Sequence, residues 1–175
     1  MLFLILLFSA ANLSLCETTC KAPNGTESHF VWIPCSDGPI IYHSLTVMNK
    51  NYTEIYPIVA IKPFIILANI TNTGKQYDNL ESSIKLYKWG GLLGCSWHRI
   101  PTFGILDNLV QCNKSIKCPI ESGKQELSVL FDLSDIRFFL QILPNNIPYR
   151  IELEIFDQEK KLSSCIDLWA IITNQ

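Results

Sequence analysis

Residues 149–155 alternate without a break. Tyr149, Ile151, Leu153 and Ile155 are apolar, and Arg150, Glu152 and Glu154 are charged. Successive side chains of a strand point to opposite faces, so this pattern predicts an extended segment with one buried and one wet face. The pattern returns less strictly at residues 127–133. At residues 41–48, Ile41, His43, Leu45 and Val47 alternate with Tyr42, Ser44, Thr46 and Met48, which would place His43 on a core or cavity wall. Residues 58–70 are apolar and β-branched with Pro63 inside. Proline cannot donate to a ladder, so Pro63 marks an edge or a break between two short strands. Residues 83–89 and 162–172 complete the set.

Turn residues lie between these runs: Asn72-Thr73-Gly74-Lys75, Glu121-Ser122-Gly123-Lys124, and a hairpin at Asp157-Gln158-Glu159-Lys160-Lys161. Six to eight strands at this spacing predict an all-β, immunoglobulin-like antiparallel sandwich. At 175 residues the chain suits one domain. Glu152 and Glu154 read as solvating groups on a wet strand face.

Two segments do not fit a plain sandwich. Residues 90–109 carry few charges and contain Gly90-Gly91, Pro101 and Gly104, which predicts an irregular loop. Loops normally run over the surface and are polar, so an apolar one must cover or touch something. Residues 136–143 have apolar groups on every side and end at Pro144. Either both segments pack on a solid core, or they form the mouth and lid of an apolar cavity. The candidate cavity residues are Leu92, Leu93, Trp97, Ile100, Phe103, Ile105 and Leu106 from the first, with Trp89 just before it, and Phe138, Phe139, Ile142 and Leu143 from the second. Inward strand positions Val129, Phe131, Ile151 and Leu153 join them.

The N-terminus sets the compartment. Residues 1–16 contain no charged side chain; Leu2-Phe3-Leu4-Ile5-Leu6-Leu7-Phe8 is followed by Ser9-Ala10-Ala11. This resembles a signal peptide at 1–16 ahead of a domain at 17–175, although a basic n-region is missing. The apolar run is far short of the about 20 residues of a membrane span. The chain has seven cysteines; cleavage after Cys16 leaves six in an oxidising compartment, whereas cleavage after Ala10 or Ala11 leaves an odd thiol. Asn24, Asn51, Asn69 and Asn113 head Asn-x-Ser/Thr sites that suit a secreted glycoprotein. The net charge of −2 argues against nucleic acid as a partner.

The run Cys112-Asn113-Lys114-Ser115-Ile116-Lys117-Cys118-Pro119-Ile120 resembles the short disulfide loop of the ML (MD-2-related lipid-recognition) domain family, as seen in its cholesterol-transfer member. Trp32-Ile33-Pro34-Cys35-Ser36-Asp37-Gly38 resembles the family's first-strand cysteine and acidic turn. Tyr42-His43-Ser44-Leu45-Thr46-Val47 is similar to the next strand of its ganglioside-activator member. Cys165 in Ser163-Ser164-Cys165-Ile166-Asp167-Leu168 stands where the family places its last cysteine. The resemblance covers residues 30–173. It implies Cys35–Cys165 and Cys112–Cys118 pairs, with Cys20 and Cys95 left over. A second close pair of the cholesterol-transfer member is missing.

The resemblance further implies a secreted or lysosomal protein that holds a sterol, phospholipid or glycolipid between its sheets. It would hand that lipid to a membrane, enzyme or receptor, without cofactor or metal. Lys88, Trp97, His98 and Arg99 flank the apolar loop as candidates for reading a headgroup. The competing expectation is a solid-core receptor-accessory or adhesion module, which the same sheets would support. A zinc site from Cys95-x2-His98 with Cys112 and Cys118 has the right ligand types, but exported thiols oxidise. An enzyme is not expected: no Gly-x-Ser-x-Gly or His-Glu-x-x-His occurs, and His29, His43 and His98 have no nucleophile partner in sequence.

Overall fold

A computed structural model describes residues 20–91, 94–159 and 161–174. The leader expected at residues 1–16 and the pair Leu92 and Leu93 lie outside the described residues. Nine strands form among the described residues: β1 (Val31–Pro34), β2 (Ile40–Met48), β3 (Ile58–Val59), β4 (Phe64–Asn72), β5 (Glu81–Gly90), β6 (Ser96–Ile100), β7 (Gly123–Phe131), β8 (Ile147–Phe156) and β9 (Leu162–Thr173). One short helix, α1 (Arg137–Gln141), follows β7.

The strands make two sheets. The larger runs β1-β9-β8-β5-β6, with β3 added parallel to β9; the smaller runs β2-β4-β7. All other pairings are antiparallel, as hairpin connections require. The alternation of residues 149–155 becomes β8. Its register sets Ile151 between Leu86 and Leu168, and Leu153 between Ile84 and Ile166, so one apolar face runs across three strands. Ile40 and Val47 of β2, Ile66, Ala68 and Ile70 of β4 and Phe131 of β7 face it from the smaller sheet. Phe64 and Phe131 stack with ring centroids 5.2 Å apart.

Three expectations are corrected. His43 is exposed, with Nε2 2.7 Å from the Thr71 hydroxyl, and is no core residue. A bulge between Tyr42 and Ser44 shifts the register, so Ile40, Tyr42, Leu45 and Val47 point inward and Ile41 is 47% exposed. An extra residue in one strand reverses the facing of everything before it. The irregular loop expected at residues 90–109 contains β6, whose Trp97, Arg99 and Ile100 pair with Trp89, Tyr87 and Leu86. Nor are Glu152 and Glu154 free solvating groups. Lys85 Nζ lies 2.7 Å from Glu152 and 3.1 Å from Glu154, and Arg150 bridges Glu152 (3.1 Å) and Asp167 (2.9 Å). The Glu152 hydrogen bond holds the Lys85 ammonium above its usual pKa.

Three disulfides staple this frame: Cys35–Cys165, Cys112–Cys118 and Cys20–Cys95. The first ties β1 to β9 across a separation of 130 residues. Closing a loop that long limits the unfolded chain more than the native one, by about 5 kcal/mol in the chain-entropy account. The third ties the N-terminal arm to the start of β6, where Trp89 Nε1 also donates to the Lys21 carbonyl at 2.9 Å. Converting Cys35 and Cys165 together to alanine should therefore lower the urea-unfolding free energy by about 4–5 kcal/mol. Removing the Cys112–Cys118 bridge, which closes only six residues, should cost visibly less.

Candidate functional site: an apolar hollow between the sheets

The inward faces do not meet fully at the α1 end of the sandwich. Ile84 and Leu86 of β5, Tyr149, Ile151 and Leu153 of β8, and Leu168, Ala170 and Ile172 of β9 form one wall. Phe64 and Ile66 of β4 and Phe131 of β7 form the other. Phe30, Ile58 and Ala60 close one side; Leu106, Leu109 and Leu133 close the opposite one; Phe139, Leu140 and Leu143 cap the end. The free volume is about 80 Å³. A second hollow of about 40 Å³ lies deeper and shares Ile66, Phe131, Leu153 and Leu168 with the first. Filled small-molecule sites run to roughly 300–1,000 Å³, so side chains occupy most of the interior as it stands.

The walls differ in how they are held. The sheet walls are fixed by continuous ladders. The end wall is α1 and its C-cap: Phe139 (9% exposed) and Leu140 (5%) turn inward, while Phe138 (80%) and the C-cap residue Ile142 (65%) turn to solvent. Its C-terminal carbonyls are clasped by Asn174 Nδ2, at 2.7 Å from the Leu140 oxygen and 3.2 Å from that of Leu143. The side wall is a pair of turns, closed by Ile105 N to Thr102 O (2.9 Å) and Asp107 N to Gly104 O (3.1 Å). Buried Ser82 anchors their far end, accepting Asn108 N on its carbonyl (2.8 Å) and Val110 N on its hydroxyl (3.0 Å). Neither segment belongs to a sheet ladder.

One polar group enters the apolar wall. Tyr149 is 1% exposed and its hydroxyl donates to the Pro144 carbonyl at 2.5 Å, pinning the segment after α1 to β8. Burial pushes its phenol well above the ordinary value of 10.

Of the residues singled out in the sequence, Leu106, Phe131, Phe139, Leu143, Ile151 and Leu153 line the larger hollow and Val129 the smaller. Trp89 and Trp97 lie on the outer face of the larger sheet, with centroids 5.0 Å apart; Trp97 also meets Trp169 at 5.3 Å. Ile100 packs on the core without lining a hollow. Phe103 and Ile105 are 90% and 41% exposed on the outer side of the side-wall loop. Lys88, His98 and Arg99 sit on the β5–β6 hairpin, where His98 Nε2 meets the Ser96 hydroxyl at 3.1 Å. The sequence reading missed Phe64, Leu140 and Ile84, among others. Extending the β5 alternation from Leu86 back to Ile84 was the available signal. The zinc alternative falls, because Cys95, Cys112 and Cys118 are all consumed in disulfides.

A two-sheet sandwich with its hydrophobic interior parted at one end, and a cysteine staple between first and last strands, defines a distinct class of β-domain. Residues 30–172 match the family model for the ML domain, and the chain belongs to that lipid-binding family. A Niemann-Pick type C2 protein from the Japanese carpenter ant shares the fold at 16% identity and a TM-score of 0.50, covering 82% of this chain and 99% of that one. Chicken MD-1 complexed with lipid IVa aligns at 13% identity and a TM-score of 0.40, over 80% of this chain and 86% of that one. No curated protein sequence matches the chain.

The buried phenol gives a pH test. Folding raises the Tyr149 pKa, so above pH 10 the unfolded chain releases this proton while the folded chain keeps it. The unfolded state then binds fewer protons, and stability falls as pH rises through and beyond 10. Tyr149→Phe should cost about 1–2 kcal/mol at pH 8 by losing the Pro144 bond. Urea midpoints taken from pH 8 to 11 should also decline less steeply in the variant.

Proposed function

We propose that this chain is an exported lipid carrier that seats the hydrocarbon part of its ligand in the hollow beneath α1. The observation that carries this reading is the hollow's apolar wall, whose one polar side chain, Tyr149, is already hydrogen-bonded, in an ML domain, bounded on two sides by segments outside the ladders. Each methylene moved from water into it contributes about 0.8 kcal/mol. A long chain therefore gains enough to displace the side-wall and end-wall residues that fill the interior when it is empty. Apolar cavities of this kind stay dry, so no ordered water must be expelled first.

Transfer would use α1. Phe138 projects from the same five-residue helix whose Phe139 and Leu140 cap the hollow, and Ile142 follows directly as its C-cap. Inserting the outer pair into a bilayer would draw the inner pair off the hollow, so docking and opening are one movement. The lipid then passes to a membrane, enzyme or receptor. The uncharged leader at residues 1–16, the disulfides and the exposed Asn24, Asn51, Asn69 and Asn113 support a secreted or lysosomal glycoprotein. We read it as a binder rather than an enzyme. A second reading, a solid-core receptor-accessory or adhesion module, is favoured by the small free volume.

Organic extraction of the purified secreted protein, followed by mass spectrometry, should recover lipid in near-stoichiometric amount. An empty extract together with no uptake of fluorescent lipid would favour the solid-core module. Phe138→Asp should slow uptake from vesicles several-fold while leaving the urea midpoint within about 0.5 kcal/mol of wild type, because Phe138 is 80% exposed. Unchanged uptake would remove α1 from the transfer step.

A further inference from the structure

The side-wall loop has two faces, and only one is explained by the hollow. Leu106 and Leu109 turn inward to line it. On the outer side, Pro101, Thr102, Phe103, Gly104 and Asp107 bound an open cleft of about 560 Å³, completed by Ser83, Ile84 and Lys85 of β5 and Arg99 of β6. Ile84 lines both spaces, so the hollow and the cleft are separated by one strand position and one turn of loop.

Three features of this cleft contribute little to the packing of the domain. Phe103 is 90% exposed, so its ring gains nothing from the core. It nevertheless sits at φ 49°, a conformation that bulky residues avoid. Gly104, at φ 78°, follows it, so the chain holds an aromatic ring where a second glycine would relieve the strain. Strain kept at an exposed ring points to a ligand that the ring meets. The Arg99 guanidinium makes no hydrogen bond or ion pair with a described residue. Among the described residues the Asp107 carboxylate is engaged only by a long contact, accepting from the Ser83 hydroxyl at 3.4 Å. A free donor fork, a nearly free acceptor pair, two hydroxyls and an exposed aromatic plate therefore border one volume of small-ligand size.

We propose that this cleft binds a pyranose ring, stacked on Phe103 and bracketed through its hydroxyls by Arg99 and Asp107. A ring's C–H face carries partial positive charge and packs on the negative face of an aromatic. Vicinal hydroxyls offer paired donors to a carboxylate and paired acceptors to a guanidinium, which binds such pairs in bidentate fashion. Phosphate fits the cleft less well, since Asp107 would repel it and Lys85 is already committed to Glu152 and Glu154. Two sources supply such a ring: the head of a lipid whose tail lies in the hollow, which rests on the reading above, and a free glycan.

The test uses the full secreted chain, stripped of lipid, and three probes. These are a fluorescent-tailed glucosylceramide, the same ceramide without the sugar, and free cellobiose. Phe103→Ala should weaken glucosylceramide about tenfold, the loss of one aromatic contact at its upper range. Ceramide binding should not change, and Asp107→Asn should repeat the pattern. Cellobiose binding that is itself sensitive to Phe103→Ala would identify free glycan as a source; its failure beside intact glucosylceramide discrimination would identify the lipid head. If neither ceramide probe binds but cellobiose does, the carrier reading fails and the cleft stands. Equal loss on both ceramides, no loss on either, or no binding of any probe overturns the sugar site. Unchanged thermal unfolding of both variants excludes a trivial loss of fold.

Discussion

The antiparallel pairing of β8 with β9 is the constraint on which the rest of the molecule depends. Ten β8 residues find partners on β9, and the same strand pairs on its other side with β5. That single register decides the facing of every side chain across three strands. A slip of β8 by one residue would carry Tyr149, Ile151 and Leu153 outward and bring Arg150, Glu152 and Glu154 into the interior. Two devices hold it. The Cys35–Cys165 bridge fixes β1 to β9, and the ion pairs of Lys85, Arg150, Glu152, Glu154 and Asp167 link the outer faces of β5, β8 and β9. Arg150 also lies 4.9 Å over the Tyr87 ring. These pairs are partly shielded, so they contribute more to register than exposed pairs would.

The same register explains which parts of the fold were legible in the sequence. Residues 149–155 named their strand and both faces because the alternation was strict and the polar half charged. Residues 58–70 announced their break because Pro63 cannot donate to a ladder, and β3 and β4 lie on either side of it. Where legibility failed, a local irregularity was the cause. The bulge at His43 inverts a strand whose composition gives no sign of it. β6 was hidden because Gly90 and Gly91 before it and Pro101 after it read as loop, whereas its identity comes from pairing with β5. Trp89 and Trp97 were placed at the cavity because they are large and apolar; they pack with Trp169 on the opposite face. Size and polarity cannot tell which side of a sheet a residue takes when the flanking alternation is broken.

The small free volume changes what the hollow means. An interior that is nearly filled when empty avoids the cost of a standing void, which grows with the volume left unfilled. The filling comes from the right elements: Leu106 and Leu109 from a loop, Phe139, Leu140 and Leu143 from α1 and the turn after it. Asn174, which clasps the Leu140 and Leu143 carbonyls, and Tyr149, which holds Pro144, are side-chain contacts that tie this end down. In the proposed carrier the sheets would keep their shape while these segments supply or withdraw volume. Binding therefore exchanges one set of apolar contacts for another, and its strength depends on how much more surface a ligand buries than the lid residues do.

Such an interior cannot discriminate headgroups. Every wall residue except Tyr149 lacks a polar side chain, and the Tyr149 hydroxyl is already bonded. Any preference for one polar ligand over another must then arise outside the hollow, where groups are free to hydrogen-bond. The loop from Pro101 to Asp107 is well placed for this, because the chain that presents Leu106 inward presents Phe103 and Asp107 outward. On the proposed reading, retention and recognition would fall on opposite faces of one loop, and a substitution on either face would change one while sparing the other.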